Sequence, residues 1–185
     1  MQDLTGKLLI AMPGMTDPRF ERSVILLCEH TPDGAMGLIV NKVAADVDVA
    51  SLLERLEIRA RPDVKLPLLN FGGPVDTGRG FVLHSHEYAA EAATLAVTPE
   101  LSLTATVEIL HDIANGTGPE KAILALGYSG WGGGQLEAEI QANGWLTAES
   151  NAALVLGSDP SIKWSAALGT LGIDPLTLSA TAGRA

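Results

Sequence analysis

Cys28 and His30 stand two positions apart in Ser23-Val24-Ile25-Leu26-Leu27-Cys28-Glu29-His30, a nearly unbroken apolar run that reads as a strand covered on both faces. Side chains alternate along a strand, so the two are expected on one face with Glu29 on the other. An imidazolium beside a thiol stabilises the thiolate, and the pair is the smallest set that can do covalent chemistry, with His30 as base or thiolate partner. The competing expectation is that Cys28 is simply a small buried hydrophobe. It is the only cysteine, which rules out an intramolecular disulfide or a multi-Cys zinc site. His84 and His86 repeat the spacing, but two loose pairs do not make a defined ligand set, so neither a metal nor another cofactor is expected.

Two glycine-rich stretches could expose free backbone N–H groups. Gly127-Tyr128-Ser129-Gly130-Trp131-Gly132-Gly133-Gly134 links a strand to a helix, where Gly132, Gly133 and Gly134 could cradle a phosphate or carboxylate. It lacks the Gly-Lys-Ser/Thr of a phosphate loop, and Trp131 replaces the last glycine of a hydrolase nucleophile elbow. A tight turn is the plainer explanation. The second stretch, Phe71-Gly72-Gly73-Pro74-Val75, precedes Arg79-Gly80; a guanidinium beside glycine backbone suits an anion, and a surface ion pair to Asp76 or Asp17 is the alternative.

The elements that must position these groups follow from patterning. Leu8 to Met12 reads as a strand ended by Pro13-Gly14. Thr31-Pro32-Asp33-Gly34 is a turn that returns the Ser23–His30 strand through Gly37 to Asn41 as a hairpin. Asp48 caps a helix with Val49, Leu52, Leu53 and Leu56 on one face. Leu68 to Phe71, Gly80 to His84 and Ala122 to Gly127 read as strands, and a polar loop follows His84. Thr106 to Ala114, Gln135 to Ile140 and Ser161 to Leu171 read as helices, and Trp145-Leu146 and Ala153 to Leu156 as short strands. Without strict βαβ alternation, this is an α+β domain with a mixed sheet, spanning residues 1–185 as a single unit at 185 residues.

Composition limits the partners. With 22 acidic against 12 basic residues the formal charge is −10, and no three basic residues adjoin, so direct nucleic-acid binding is not expected. Anionic membranes are disfavoured on the same ground. The start Met1-Gln2-Asp3-Leu4 has no basic n-region and no apolar run reaches the ~18 residues of a span, so a cytoplasmic location is expected.

Blocks in fixed order carry a resemblance: Gly6-Lys7-Leu8-Leu9-Ile10-Ala11-Met12-Pro13, Asp17-Pro18-Arg19-Phe20, Cys28-Glu29-His30, Gly34 to Lys42, Gly72-Gly73-Pro74-Val75, Arg79 to His84, Gly127-Tyr128, Trp131 and Gly134-Gln135-Leu136-Glu137. Together they resemble the bacterial AlgH/YqgE family, nearly from Gly6 to the end. The resemblance implies an α+β fold whose mixed, largely antiparallel branched sheet is partly closed into a small barrel surrounded by helices. It implies no reaction; the family's link to alginate control gives it a transcriptional-regulator label, although nothing here looks like a helix-turn-helix. Motif by motif it brings Cys28, His30, Asn41, Gly72, Gly73, Arg79, His84, Trp131 and Gln135 together, and it calls for neither Ser129 nor His86. The family's Gly-His-Ala ending reads Gly183-Arg184-Ala185 here.

Two functional expectations result. One is a regulatory binding module for a small anionic ligand or a protein partner, using Arg79, Gly72, Gly73, Asn41, Trp131, Gly132, Gly133, Gly134 and Gln135. The other is a thiol enzyme or redox sensor built on Cys28 and His30. The second requires an exposed sulfur sharing a concavity with the guanidinium and the free amides.

Overall fold

The computed structural model describes residues 2–90, 92–157 and 159–178, so the Gly183-Arg184-Ala185 ending lies outside the described residues. The strands are β1 (Lys7–Ala11), β2 (Val24–Thr31), β3 (Gly34–Ile39), β4 (Leu69–Phe71), β5 (Val75–Ser85), β6 (Thr94–Ala96), β7 (Leu101–Thr104), β8 (Ala122–Gly132) and β9 (Trp145–Glu149). They join in the order β6-β7-β5-β8-β3-β2-β1-β9, with β4 branching off β8 as its parallel partner. All other pairings are antiparallel, and the curled sheet makes a half-barrel.

β8 is the hinge of this arrangement. Its first half pairs with β5 and β4, and its second half, Ser129 to Gly132, pairs with β3. The register of its β5 pairing shifts at Gly127, whose φ of +70° is open to glycine, and where a Cβ would stand 2.4 Å from the Gly73 carbonyl oxygen.

Apolar side chains separate into three clusters. Leu8, Ile10, Leu26, Cys28, Phe81 and Leu83 belong to the inner one. The helices α4 (Ala152–Val155) and α5 (Lys163–Thr170) add Val155, Trp164 and Leu168 to it. Helices α1 (Val49–Arg55) and α2 (Val107–Asn115) cover one outer face, and α3 (Gln135–Gln141) covers the other with Leu9, Ile25, Leu27 and Trp131. Because β1 and most of β2 are buried on both faces, their sequences read as continuous apolar runs rather than alternations. The helix ends follow local rules: Asp48 accepts a hydrogen bond from the Ser51 amide at 2.8 Å, and Gly116 ends α2 in the left-handed region.

Three expectations about elements are corrected. Ala153 to Leu156 is helical rather than extended, capped by Asn151, whose side chain accepts from the Leu154 amide. The stretch after His84 holds β6 and β7, with Ser102 and Thr104 buried. Gly130 to Gly132 are not a turn, because β8 runs through them to pair with Gly34 to Met36.

Candidate functional site

The Cys28–His30 pair does not form. Along β2, Leu27 pairs with Gly37 but Glu29 pairs with Met36, so a β-bulge absorbs Cys28 and shifts the alternation by one residue. Cys28 stays with the inner cluster. His30 turns outward to α3, where its Nε2 lies 2.9 Å from Glu137 Oε1 and its Nδ1 accepts from the Leu4 amide at 3.1 Å. Cys28 is 2% exposed among aliphatic side chains, and burial pushes its thiol up to about 12. The expected nucleophile and base are therefore on opposite faces, and the sulfur is sealed.

Most of the other expected binding residues perform structural tasks. Asn41 Oδ1 accepts from the Val24 amide at 2.8 Å while its Nδ2 donates to the Arg22 carbonyl, stapling the ends of the hairpin. Gly72 spends its N–H on the Leu126 carbonyl, and a Cβ on Gly73 would lie 2.1 Å from the Tyr128 carbonyl carbon. These two glycines let a loop touch β8, so neither offers an anion hole. The Gly132 amide donates to Gln135 Oε1 at 3.0 Å, Gly133 packs over the Pro32 carbonyl, and Gly134 turns the chain into α3 with φ +76°. His84 is buried, with Nε2 2.8 Å from Thr104 Oγ1; desolvation lowers its pKa, and among the described residues no cluster could hold a metal ion.

Arg79 behaves differently. It is exposed, and among the described residues it has no ion-pair partner; Asp17, one of the acids expected to hold it, instead pairs with Arg19 at 2.7 Å. Its guanidinium lies over the Phe81 ring, 5.1 Å from the centroid, which fixes the cation at the edge of an open cleft of about 690 Å³. Phe81, Tyr128, Met36 and Leu103 supply an apolar lining, with Phe81 and Tyr128 edge to face at 6.0 Å. Glu29 and Asp33 line the hairpin side. Three strand spacings, roughly 14 Å measured along the sheet, separate β2, the strand of Glu29, from that of Arg79. Trp131 also borders this cleft, whereas Cys28 and Gly132 to Gly134 do not.

The model of the AlgH-like family matches residues 8–176. The chain belongs to that family. A UPF0301 protein of Cereibacter sphaeroides is 56% identical over 183 residues, covering 99% of this AlgH-like chain and 100% of that protein. One from Ruegeria pomeroyi is 60% identical over 189 residues, with 99% and 100% covered. The solution structure of the AlgH protein from Pseudomonas aeruginosa superposes with a TM-score of 0.77 at 41% identity, over 100% of this chain and 97% of that one. A Corynebacterium diphtheriae protein shares the fold at 21% identity, with a TM-score of 0.72 and coverage of 90% and 86%.

Two side-chain groups of this AlgH-like chain escaped sequence reasoning. Tyr88 donates to Asp112 Oδ2 at 2.6 Å and sits edge to face with His84; desolvation, then that carboxylate, pushes its phenol up to about 12. Glu139 gathers both Trp131 and Trp145. The readable half of this second group was Gln135 and Glu139, four apart on one helix face, with Gln135 Nε2 donating to Glu139 Oε1 at 2.9 Å. No local signal joins them to Trp145, because the turn after α3 makes that contact.

Proposed function

We propose that this AlgH-like chain is a cytosolic regulatory binding module whose working surface is the Arg79 cleft, and that the cleft takes a small organic anion or an acidic group presented by a protein partner. The observation that carries the reading is a stacked guanidinium with no ion-pair partner among the described residues, beside an aromatic lining. Arginine held flat on a ring is already oriented, so less side-chain entropy is lost when its fork accepts a carboxylate or phosphate. An apolar lining with a few convergent polar groups is the usual build of a ligand site. The reading excludes direct DNA binding, since a net charge of −10 opposes phosphate backbones. Among the described residues no helix is long and apolar enough to cross a membrane.

The test uses phenyl phosphate and benzoate, titrated into isotopically labelled protein. Saturable amide shifts are expected at Gly34 to Met36, Arg79 to Phe81 and Tyr128 to Gly130, and Arg79→Gln should weaken binding about tenfold or more. Absence of saturable shifts at those amides with both probes, or an affinity indifferent to Arg79→Gln, removes the reading.

A further inference from the structure

On the outer face of the sheet lies a second pocket of about 360 Å³, which meets the Arg79 cleft only at Gly130 and Trp131. It is bounded by Met15, Asp17, Phe20, Trp131, Glu139 and Trp145. We propose that it binds an organic cation of the alkylammonium or guanidinium class. Trp131 and Trp145 stand at 82° with ring centroids 6.1 Å apart, and Phe20 stands at 81° to Trp145 at 5.8 Å. All three rings line the pocket, so a cation seated there lies against aromatic surface, the kind of contact that recognises quaternary ammonium groups.

The charge balance points the same way. Glu139 Oε2 accepts from Trp131 Nε1 at 2.9 Å and from Trp145 Nε1 at 2.8 Å, and Oε1 accepts from Gln135. Three neutral donors stabilise the carboxylate without cancelling its charge, and each indole that donates to it becomes richer in π density. Of the charged lining residues, Asp17 and Arg19 pair with each other, and the Glu139 carboxylate has only its neutral donors. A strongly hydrated ion would lose its water shell there, whereas an alkylated or guanidinium cation has little to lose.

The rim already displays this chemistry. Arg19 places its guanidinium 5.6 Å from the Phe20 centroid and pairs with Asp17 through Nη2 at 2.7 Å and Nε at 3.0 Å. A cation held by a ring and a carboxylate is therefore in place at the pocket mouth, on an exposed side chain that a ligand can displace.

The test titrates the full chain with tetramethylammonium chloride against sodium chloride at constant ionic strength, following the indole N–H resonances of Trp131 and Trp145. Saturable shifts of both are expected. The uncharged isostere of choline, 3,3-dimethylbutanol, should not produce them. Phe20→Leu should weaken binding about fivefold, and Arg19→Gln, which clears the mouth, should strengthen it. If Phe20→Leu lowers the unfolding midpoint, Asp17→Asn at the rim takes its place with the same expected weakening. Indole resonances that ignore tetramethylammonium, or that respond equally to the neutral alcohol, overturn the proposal. So does an affinity unchanged in the folded rim variant. Trp145 borders this pocket and not the cleft, and Arg79 the cleft and not this pocket, so the Trp145 indole and the Arg79 amide report the two sites separately.

Discussion

Cys28 and His30, two positions apart on β2, face opposite sides of the sheet: the sulfur packs with Leu26 and Phe81, and the imidazole reaches α3 and Glu137. The division comes from a one-residue bulge, which places Cys28 and Glu29 together opposite a single ladder position. The same phase change turns Glu29 and Thr31 into the Arg79 cleft. One irregularity therefore removes a candidate catalytic pair and supplies an acidic side to the binding surface.

The buried thiol should be inert in the folded protein. With its pKa pushed up to about 12, Cys28 at pH 8 should react with iodoacetamide about a thousandfold more slowly than a free thiol, and the rate should follow global unfolding as urea is added. Cys28→Ala should lower stability by about 1–2 kcal/mol through the small cavity it leaves, read from the urea midpoint. Alkylation of the native protein at a free-thiol rate would restore the thiol-enzyme reading.

Gly73 and Gly78 lie near each other in sequence and should respond oppositely to alanine. A Cβ at Gly73 meets Tyr128 and Ser129 backbone atoms at 2.1–2.3 Å with φ at +154°, so neither side chain nor rotamer change relieves the collision. Gly73→Ala should cost more than about 3 kcal/mol or prevent folding. At Gly78 nothing lies within 4 Å, and Gly78→Ala should change stability by less than about 0.5 kcal/mol. Thermal unfolding of the two variants side by side decides it; equal effects would mean that the Gly73 loop does not touch β8.

What was legible in the sequence is what local rules decide. The Asp48 cap and the Pro32–Gly34 hairpin turn are short-range hydrogen-bond and φ requirements, and each stands where its residues place it. The strand at Leu101–Thr104 was missed because its alternating Ser102 and Thr104 read as solvent-facing. They are buried, and Thr104 Oγ1 is satisfied by His84, twenty residues away, which no local pattern reveals. Ala153 to Leu156 is a four-residue apolar run, too short for its period to separate helix from strand. Arg79 was readable as an anion candidate, and its lack of an ion-pair partner among the described residues was not. Asp17 pairs with Arg19 and lines a different pocket from Arg79, a placement that only the tertiary fold decides.

Lys163 gives the fold a pH dependence of definite sign. It is 2% exposed, and its ammonium donates to the Val40 carbonyl at 2.9 Å and the Val155 carbonyl at 2.7 Å, with no carboxylate among the described residues to pair it. Desolvation therefore lowers its pKa from 10.5 to about 8. Below pH 8 both folded and unfolded chains hold the proton and the slope is flat. Between pH 8 and 10.5 the unfolded chain keeps a proton that the folded chain has released, so stability rises with pH, by up to about 3 kcal/mol. Cys28 acts in the other direction above pH 9, where the unfolded thiol ionises and the buried one does not. Comparison with Lys163→Met, which retains Cys28, isolates the lysine: in urea unfolding at pH 7, 8, 9 and 10, the stability of the parent relative to the variant should climb from pH 8 upward. A difference that stays level across that series would mean that the ammonium is not desolvated beneath α5.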